Sequence, residues 1–418
     1  MKRELSLIQG LRERAGKVRR RSIARRNMLF LAISMFFANM SWGIAFPYLS
    51  VYMRMIGGTM FLVGMLSVVF NVTSTAFQYP FGYLSDKTGR RKPFIALGVL
   101  SSGATYALVA FIASPPLLLG FRALQGALSA SLAPAHSALI SELATRVGSA
   151  FGFFSFVENM GYMAGNFLGG IVVRDLGIRK TFMLASTFSL LSILFLFPIR
   201  EKSTGKRSYS RPIVVQEGRE SEKVSFEGAA FRRLMKGKLG RFYLSIFFVM
   251  IASGEVYSTV SVYFGERFGE EFVGLFFGID SLAAALSSIA IGRLIDKYGP
   301  ELFYRAAIVG YMLTFLGYAF AKTVPIMVAI SALSGVKWAM TLSSSSTYVA
   351  MKVSQRERGQ GMGLLNTMMS LGWAIGPLLG GYLSGISFRL MFLSTLVPLF
   401  VALILTGSPI SSRRRPSP

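Results

Sequence analysis

The chain has 418 residues, 52% of them apolar and only 15% charged, with a mean hydropathy of +0.52. Soluble domains carry roughly 25% charged residues, so a soluble enzyme and a disordered chain are both excluded. Its 45 Lys and Arg against 19 Asp and Glu leave a net charge of +26, which in so apolar a chain points to membrane sidedness before nucleic acid.

A basic tail, 1–27, comes first. Leu5, Ile8 and Leu11 share one helical face, a spacing that suits either an interfacial helix on the inner leaflet or a positive flank without fixed structure. The apolar run from Met28 is too long for a secretory signal and lacks a small-residue cleavage site, so it is expected to stay as a membrane span. A spanning helix needs about 20 apolar residues. Twelve stretches qualify: 28–53, 58–85, 93–113, 115–141, 148–173, 179–199, 241–265, 270–293, 302–321, 324–350, 358–384 and 388–407. The polar stretch 200–240 divides them six and six. The predicted organisation is therefore the tail 1–27, a six-helix bundle 28–199, a linker 200–240, a second bundle 241–408 and a tail 409–418. Loops on the N-terminal side hold 36 Lys and Arg and the opposite loops 7. This predicts a multi-pass protein of the cell membrane with both termini cytoplasmic, and explains the charge without a nucleic-acid partner.

The two halves repeat each other. Gly82 and Asp86 in GYLSDKTGRRKP match Gly292 and Asp296 in GRLIDKYGP at an offset of 210. ALQGALSA in span 4 and ALSGVKWA in span 10 align Gly126 with Gly335 at 209. In spans 5 and 11, GYMAGNFLGG and GWAIGPLLGG align Gly161, Gly165, Gly169 and Gly170 with Gly372, Gly376, Gly380 and Gly381 at 211. Because each half has an even number of spans, both share one topology, and a site is expected where they meet.

The run Gly82-Tyr83-Leu84-Ser85-Asp86-Lys87-Thr88-Gly89-Arg90-Arg91-Lys92 resembles, almost position for position, the signature loop between spans 2 and 3 of the major facilitator superfamily. Arg122-Ala123-Leu124-Gln125-Gly126 is similar to the family's second motif, and the span 5 glycines to its antiporter motif. That last motif has Pro after the second Gly; here Asn166 stands there, while Pro377 takes the equivalent place in span 11. The resemblance covers all twelve spans and is strongest to the drug or metabolite:proton antiporters. It implies an all-α fold of two pseudo-symmetric six-helix bundles. Spans 1, 4, 7 and 10 would line a cavity, spans 2, 5, 8 and 11 would gate it, and the rest would face outward. It also implies a monomer with a small-molecule substrate and a coupling proton, without cofactor or metal.

The signature loop implies a conformational latch. Gly82 and Gly89 permit close approach and a tight turn, Asp86 stands where it can cap a helix N-terminus, and Arg90 follows four residues on, with Arg91 beside it. Glu142, at the end of span 4, should lie at the same depth, so the expected latch is Asp86, Arg90 and Glu142. The bland alternative is a turn that sets topology alone. In the second half Asp296 persists but Pro300 replaces the distal Arg, which predicts a weaker second latch. The glycines of spans 5 and 11 are expected to bring the halves close together, since small residues at four-residue spacing let helix backbones approach.

Five ionisable residues stand out inside spans: Arg122, Glu158, Glu255, Asp280 and Lys337. Such groups cost about 2.5–3.5 kcal/mol on insertion scales and usually serve function. At about 1.5 Å per residue, the last four lie near the midplane, and Arg122 some seven residues from the outer surface. Lys337 has Glu255 and Asp280 as candidate partners, in either a structural ion pair or a coupling site. Glu158 has no cation at its predicted depth, which suits a proton carrier and equally a neutral acid bonded to a neighbouring helix. His136, after Pro134, reads more readily as a packed polar group than as a relay. Asn39, Trp42, Phe46 and Tyr48 in span 1, Tyr257 in span 7 and Trp338 in span 10 can form an aromatic wall for an amphipathic solute, or simply pack.

These readings favour alternating-access transport, with proton-coupled efflux of an amphipathic or hydrophobic solute ahead of uptake of a sugar, organic acid or nucleoside. A membrane-embedded hydrolase or acyltransferase is disfavoured. The chain has no cysteine, a single histidine and no GxxxxGK[ST] phosphate loop.

Overall fold

The computed structural model describes the backbone of residues 2–144, 147–199, 201, 234–354 and 358–407, and side chains from Ile23 onward except 145–148 and 355–359. The side chains of the basic tail before Ile23, nearly all of the linker 200–240 and the tail 409–418 lie outside the described residues. Every helix and strand assignment among the described residues is helical, as hydrocarbon demands: a backbone without water must pair its polar groups within its own segment.

The first half runs α1 (Lys2–Met55), α2 (Met60–Thr88), α3 (Lys92–Val109), α4 (Pro115–Ser129), α5 (Leu132–Leu143), α6 (Val147–Leu176) and α7 (Ile178–Leu196). The second runs α8 (Gly237–Tyr257), α9 (Val260–Phe268), α10 (Glu270–Tyr298), α11 (Pro300–Phe320), α12 (Val324–Lys352), α13 (Arg358–Ile386), α14 (Phe388–Ser394) and α15 (Leu396–Leu405). Among the described residues, ten helices or joined pairs are long and apolar enough to cross a membrane. The remaining two of the twelve predicted spans are α4 with α5, each too short to cross alone, and α6, which Glu158, Asn159 and Asn166 make more polar.

Three spans are broken in the middle, and the same chemistry stands at each break. Ser131 Oγ donates to the Leu128 carbonyl at 2.7 Å, Ser258 Oγ to that of Glu255 at 3.2 Å, and Thr395 Oγ1 to that of Phe392 at 2.6 Å. A hydroxyl that takes the carbonyl three residues back competes with the helical ladder and bends it.

The described residues pack as two compact units. The first comprises Met1–Phe46, Thr73–Ile112 and Gly120–Lys206, around Leu31 and Met35 of α1, Phe94, Ile95 and Val99 of α3, Leu139 of α5 and Phe154 of α6. Buried hydroxyls cross-link its helices: Ser41 Oγ donates to the Ala185 carbonyl at 2.6 Å and Ser189 Oγ to that of Val99 at 2.8 Å. Such bonds average only about 0.6 kcal/mol in membrane proteins, so close packing of apolar side chains contributes more. The second unit comprises Pro47–Val72, Ala113–Leu119 and Arg207–Pro418, so the boundary runs through α1, α2 and α4. Its interior is aromatic, with Tyr263, Phe264, Phe276, Tyr318 and Phe392 meeting mostly edge to face.

Candidate functional site: a charged loop and two acid–base pairs

The signature loop closes on itself through Arg91. Gly89 turns the chain with φ 61° between α2 and α3, a conformation that costs glycine little. This aims the Arg91 side chain back over α2. Its Nη1 donates to Asp86 Oδ1 at 2.7 Å and to Ser85 Oγ at 2.9 Å, and its Nε to Glu142 Oε1 at 3.1 Å. Burial opposes the guanidinium charge, but the Asp86 and Glu142 carboxylates outweigh it and hold its pKa above the ordinary arginine value. The expected cation, Arg90, is exposed. The cation of the cluster is therefore Arg91, because the turn at Gly89 carries the following side chain away and brings the next one in. Gly82 faces Pro134 of α5.

Glu201, which nothing in its spacing singled out, also belongs to this cluster, as does Lys92, the last residue of the loop run. Glu201 Oε1 accepts from the backbone N–H of Arg91 at 2.7 Å and of Lys92 at 2.5 Å, capping α3, while Lys92 Nζ donates to the carbonyls of Phe197 and Ile199 just beyond α7. An anion thus meets the positive end of α3 and a cation the negative end of α7. In the second half Asp296 is exposed in the last turn of α10.

In the first unit, Glu158 has a base beside it after all: His136 Nδ1 lies 3.5 Å from Glu158 Oε1. The break before α5 places His136 one turn inside that helix, with its ring edge-on to Phe154. Arg122 is buried and donates to Gln125 Oε1 at 2.6 Å, one turn along the same helix. Asn39 donates to the Met35 carbonyl of its own helix, and Trp42 stacks on Phe46.

In the second unit the expected ion pairs rearrange. Glu255 does not serve Lys337; its Oε1 accepts from Ser394 Oγ at 2.5 Å, at the break between α14 and α15. Lys337, 1% exposed, donates to Tyr257 Oη at 3.1 Å and lies over the rings of Tyr311, at 3.9 Å, and Tyr257, at 5.1 Å. The Tyr257 hydroxyl reaches Asp280 Oδ1 at 3.3 Å and pairs with Ser334 Oγ at 2.5 Å. Lys337 and Asp280 are therefore linked through one phenol rather than by direct contact. Gly335 makes this possible: a Cβ there would collide with the Asp280 carbonyl, so glycine lets α12 touch α10. Tyr257 packs on Trp373, and Trp338 beside Lys337 is half-buried.

The glycine motifs work mainly inside each half, not between halves as expected. A Cβ at Gly161 or Gly165 of α6 would strike the carbonyl oxygens of Phe36 or Met40 in α1, and one at Gly372, Gly376 or Gly380 of α13 would strike α8. Gly169 is buried. Within the second unit, Gly64 of α2 also lies against the Pro377 carbonyl, and Gly381 against Met60. In the same unit, Tyr48 Oη accepts from Gly274 N at 3.0 Å and donates to the Glu270 carbonyl at 3.3 Å. Ser50 Oγ donates to the Ser258 carbonyl at 3.0 Å, and Arg54 Nε lies 3.7 Å from Glu266 Oε1.

Among known proteins, the profile of the Major Facilitator Superfamily matches residues 31–271 and 242–418. An uncharacterized MFS-type transporter of Methanocaldococcus jannaschii is 24% identical over 367 residues, 86% of this chain and 92% of that protein. The multidrug resistance protein MdtG of Escherichia fergusonii is 24% identical over 405 residues, 94% and 96% of the two chains. Among solved structures, the nucleoside transporter NupG superposes with a TM-score of 0.73 at 16% identity, over 91% of this chain and 99% of that one. A bacterial homologue of the human lysosomal transporter Spinster gives 0.69 at 17%, over 93% and 96%.

Proposed function

Since the chain belongs to the Major Facilitator Superfamily and is a multi-pass membrane transporter, we propose that it exports a small amphipathic solute in exchange for protons. The observation that carries this reading is that each unit holds one interior carboxylate within reach of a nitrogen base, Glu158 beside His136 and Asp280 joined to Lys337 through Tyr257. Each pair can hold one proton without adding net charge to the hydrocarbon, so a proton can enter from one side and leave to the other as access alternates. The aromatic faces of Tyr257 and Trp373 supply planar surface for the solute, and the relationship to a multidrug resistance protein favours efflux. The protein works as a monomer in the cell membrane, with both termini in the cytoplasm as the 36 to 7 distribution of basic residues directs.

The test is transport in proteoliposomes with an imposed pH gradient, with ethidium as the amphipathic probe and radiolabelled uridine as the probe for uptake. Ethidium movement driven by the gradient, and lost in both Glu158→Gln and Asp280→Asn, supports the reading. Gradient-driven ethidium transport that persists in both variants removes the proposed proton sites. Uridine transport without ethidium transport replaces efflux by nucleoside uptake.

A further inference from the structure

The internal repeat, followed from the first loop into the second, leads to a pair of residues that the loop motif does not single out. The offset that maps Asp86 to Asp296 also maps Gly89, at φ 61°, to Gly299, at φ 87°, so both halves make the turn the same way. Carried one step further, it takes Arg91 to Glu301 and Glu142 to Lys352. Both positions have changed sign, and both are still paired: Lys352 Nζ lies 3.7 Å from Glu301 Oε1, as Arg91 Nε lies 3.1 Å from Glu142 Oε1. Pro300, which replaces Arg90, leaves this pair intact because Arg90 is no part of the first one.

We propose that Glu301 and Lys352 form a second latch, the sign-exchanged counterpart of Arg91 and Glu142, and that it is the softer of the two. This rests on reading the chain as an alternating-access transporter. The softness follows from the helix ends. Arg91 occupies the N-cap of α3, and Glu142 the last turn of α5. A cation at a helix N-terminus and an anion at a C-terminus are each unfavourable by about 0.3–1 kcal/mol. Each therefore depends on the other, and Glu201 supplies the anion that the α3 terminus lacks. In the second half the signs agree with the dipoles: Glu301 lies in the first turn of α11 and Lys352 in the last turn of α12. Each charge is already stabilised at its own helix end, and Lys352 also lies over the Tyr348 ring at 5.6 Å. Separation therefore costs less. Asp296 has the sign of Glu301 and cannot reinforce the pair as Asp86 reinforces the first.

The test compares Glu301→Lys, Lys352→Glu, the double reversal and Glu301→Gln in the full chain. It reads ethidium and uridine flux in proteoliposomes and amide exchange at 300–304 and 348–353. Exposed pairs couple weakly, so each single reversal is expected to slow flux by about fivefold and Glu301→Gln by less than about twofold. The double reversal, which restores opposite charges, should recover most of the loss in both flux and exchange. A double reversal no faster than the singles, or single reversals that transport at the unsubstituted rate, overturns the latch. Recovery of amide exchange without recovery of flux also overturns it, because the pair would then be static. If the unsubstituted chain moves neither probe, the transport reading is what fails. Amide exchange alone then decides the pair: coupled exchange keeps it, and uncoupled exchange overturns it.

Discussion

Arg91 holds two carboxylates and a hydroxyl at once, so its removal should release the loop far more than removal of its neighbour. Hydrogen bonds to charged groups contribute about 1.5–3 kcal/mol, discounted here because both carboxylates are more than half exposed. Arg91→Ala and Asp86→Asn are expected to insert normally and to lower ethidium flux by roughly tenfold, with Arg90→Ala close to unsubstituted protein. Equal loss in Arg90→Ala would remove Arg91 from its role. Combining Arg91→Ala with Glu142→Gln should cost less than the sum of the two. Glu201→Gln leaves two α3 amides without a charged acceptor, which should lower the thermal midpoint by an amount corresponding to about 1 kcal/mol. His136→Gln tests the first acid–base pair. If His136 shares the Glu158 proton, the pH of half-maximal efflux moves; an unmoved profile assigns the ring to packing against Phe154.

At the scale of helices, the glycines of α6 and α13 act as flat faces that let α1 and α8 lie backbone to backbone against them. Even a methyl group at Gly165 or Gly376 would meet a carbonyl oxygen, of Met40 or Ile251, whereas one at Gly152 or Gly292 would meet open space. Forcing atoms into packed contacts typically costs about 1–3 kcal/mol. Gly165→Ala and Gly376→Ala should therefore melt earlier in detergent, and Gly152→Ala and Gly292→Ala should not. Uniform behaviour of all four would show that these contacts are not close. The motif was legible as a run of glycines at regular spacing, but its partner helix was not. A small residue marks a close approach without saying what approaches. The breaks inside spans 4, 7 and 12 were equally hidden, because serine and threonine are common throughout these helices and only some of their hydroxyls turn back on the backbone.

For the molecule as a whole, sidedness is the property most directly open to experiment. On this naturally cysteine-free chain, a cysteine at Lys322 should react with an impermeant maleimide in intact cells, and one at Lys297 should react only after permeabilisation. The reverse pattern would invert the topology. Span number, the twofold repeat and the charged loop were readable in the sequence, because hydropathy and motif spacing are properties of consecutive residues. Partner choice was not. Lys337 turned to Tyr257 and the Tyr311 ring, Glu255 to Ser394, Glu158 to His136, and Asp86 and Glu142 to Arg91. Each residue along a helix also turns the side chain by about 100°, with 3.6 residues per turn. Two residues at equal depth can therefore face opposite ways, and only the packing of one helix on another decides which of them meet.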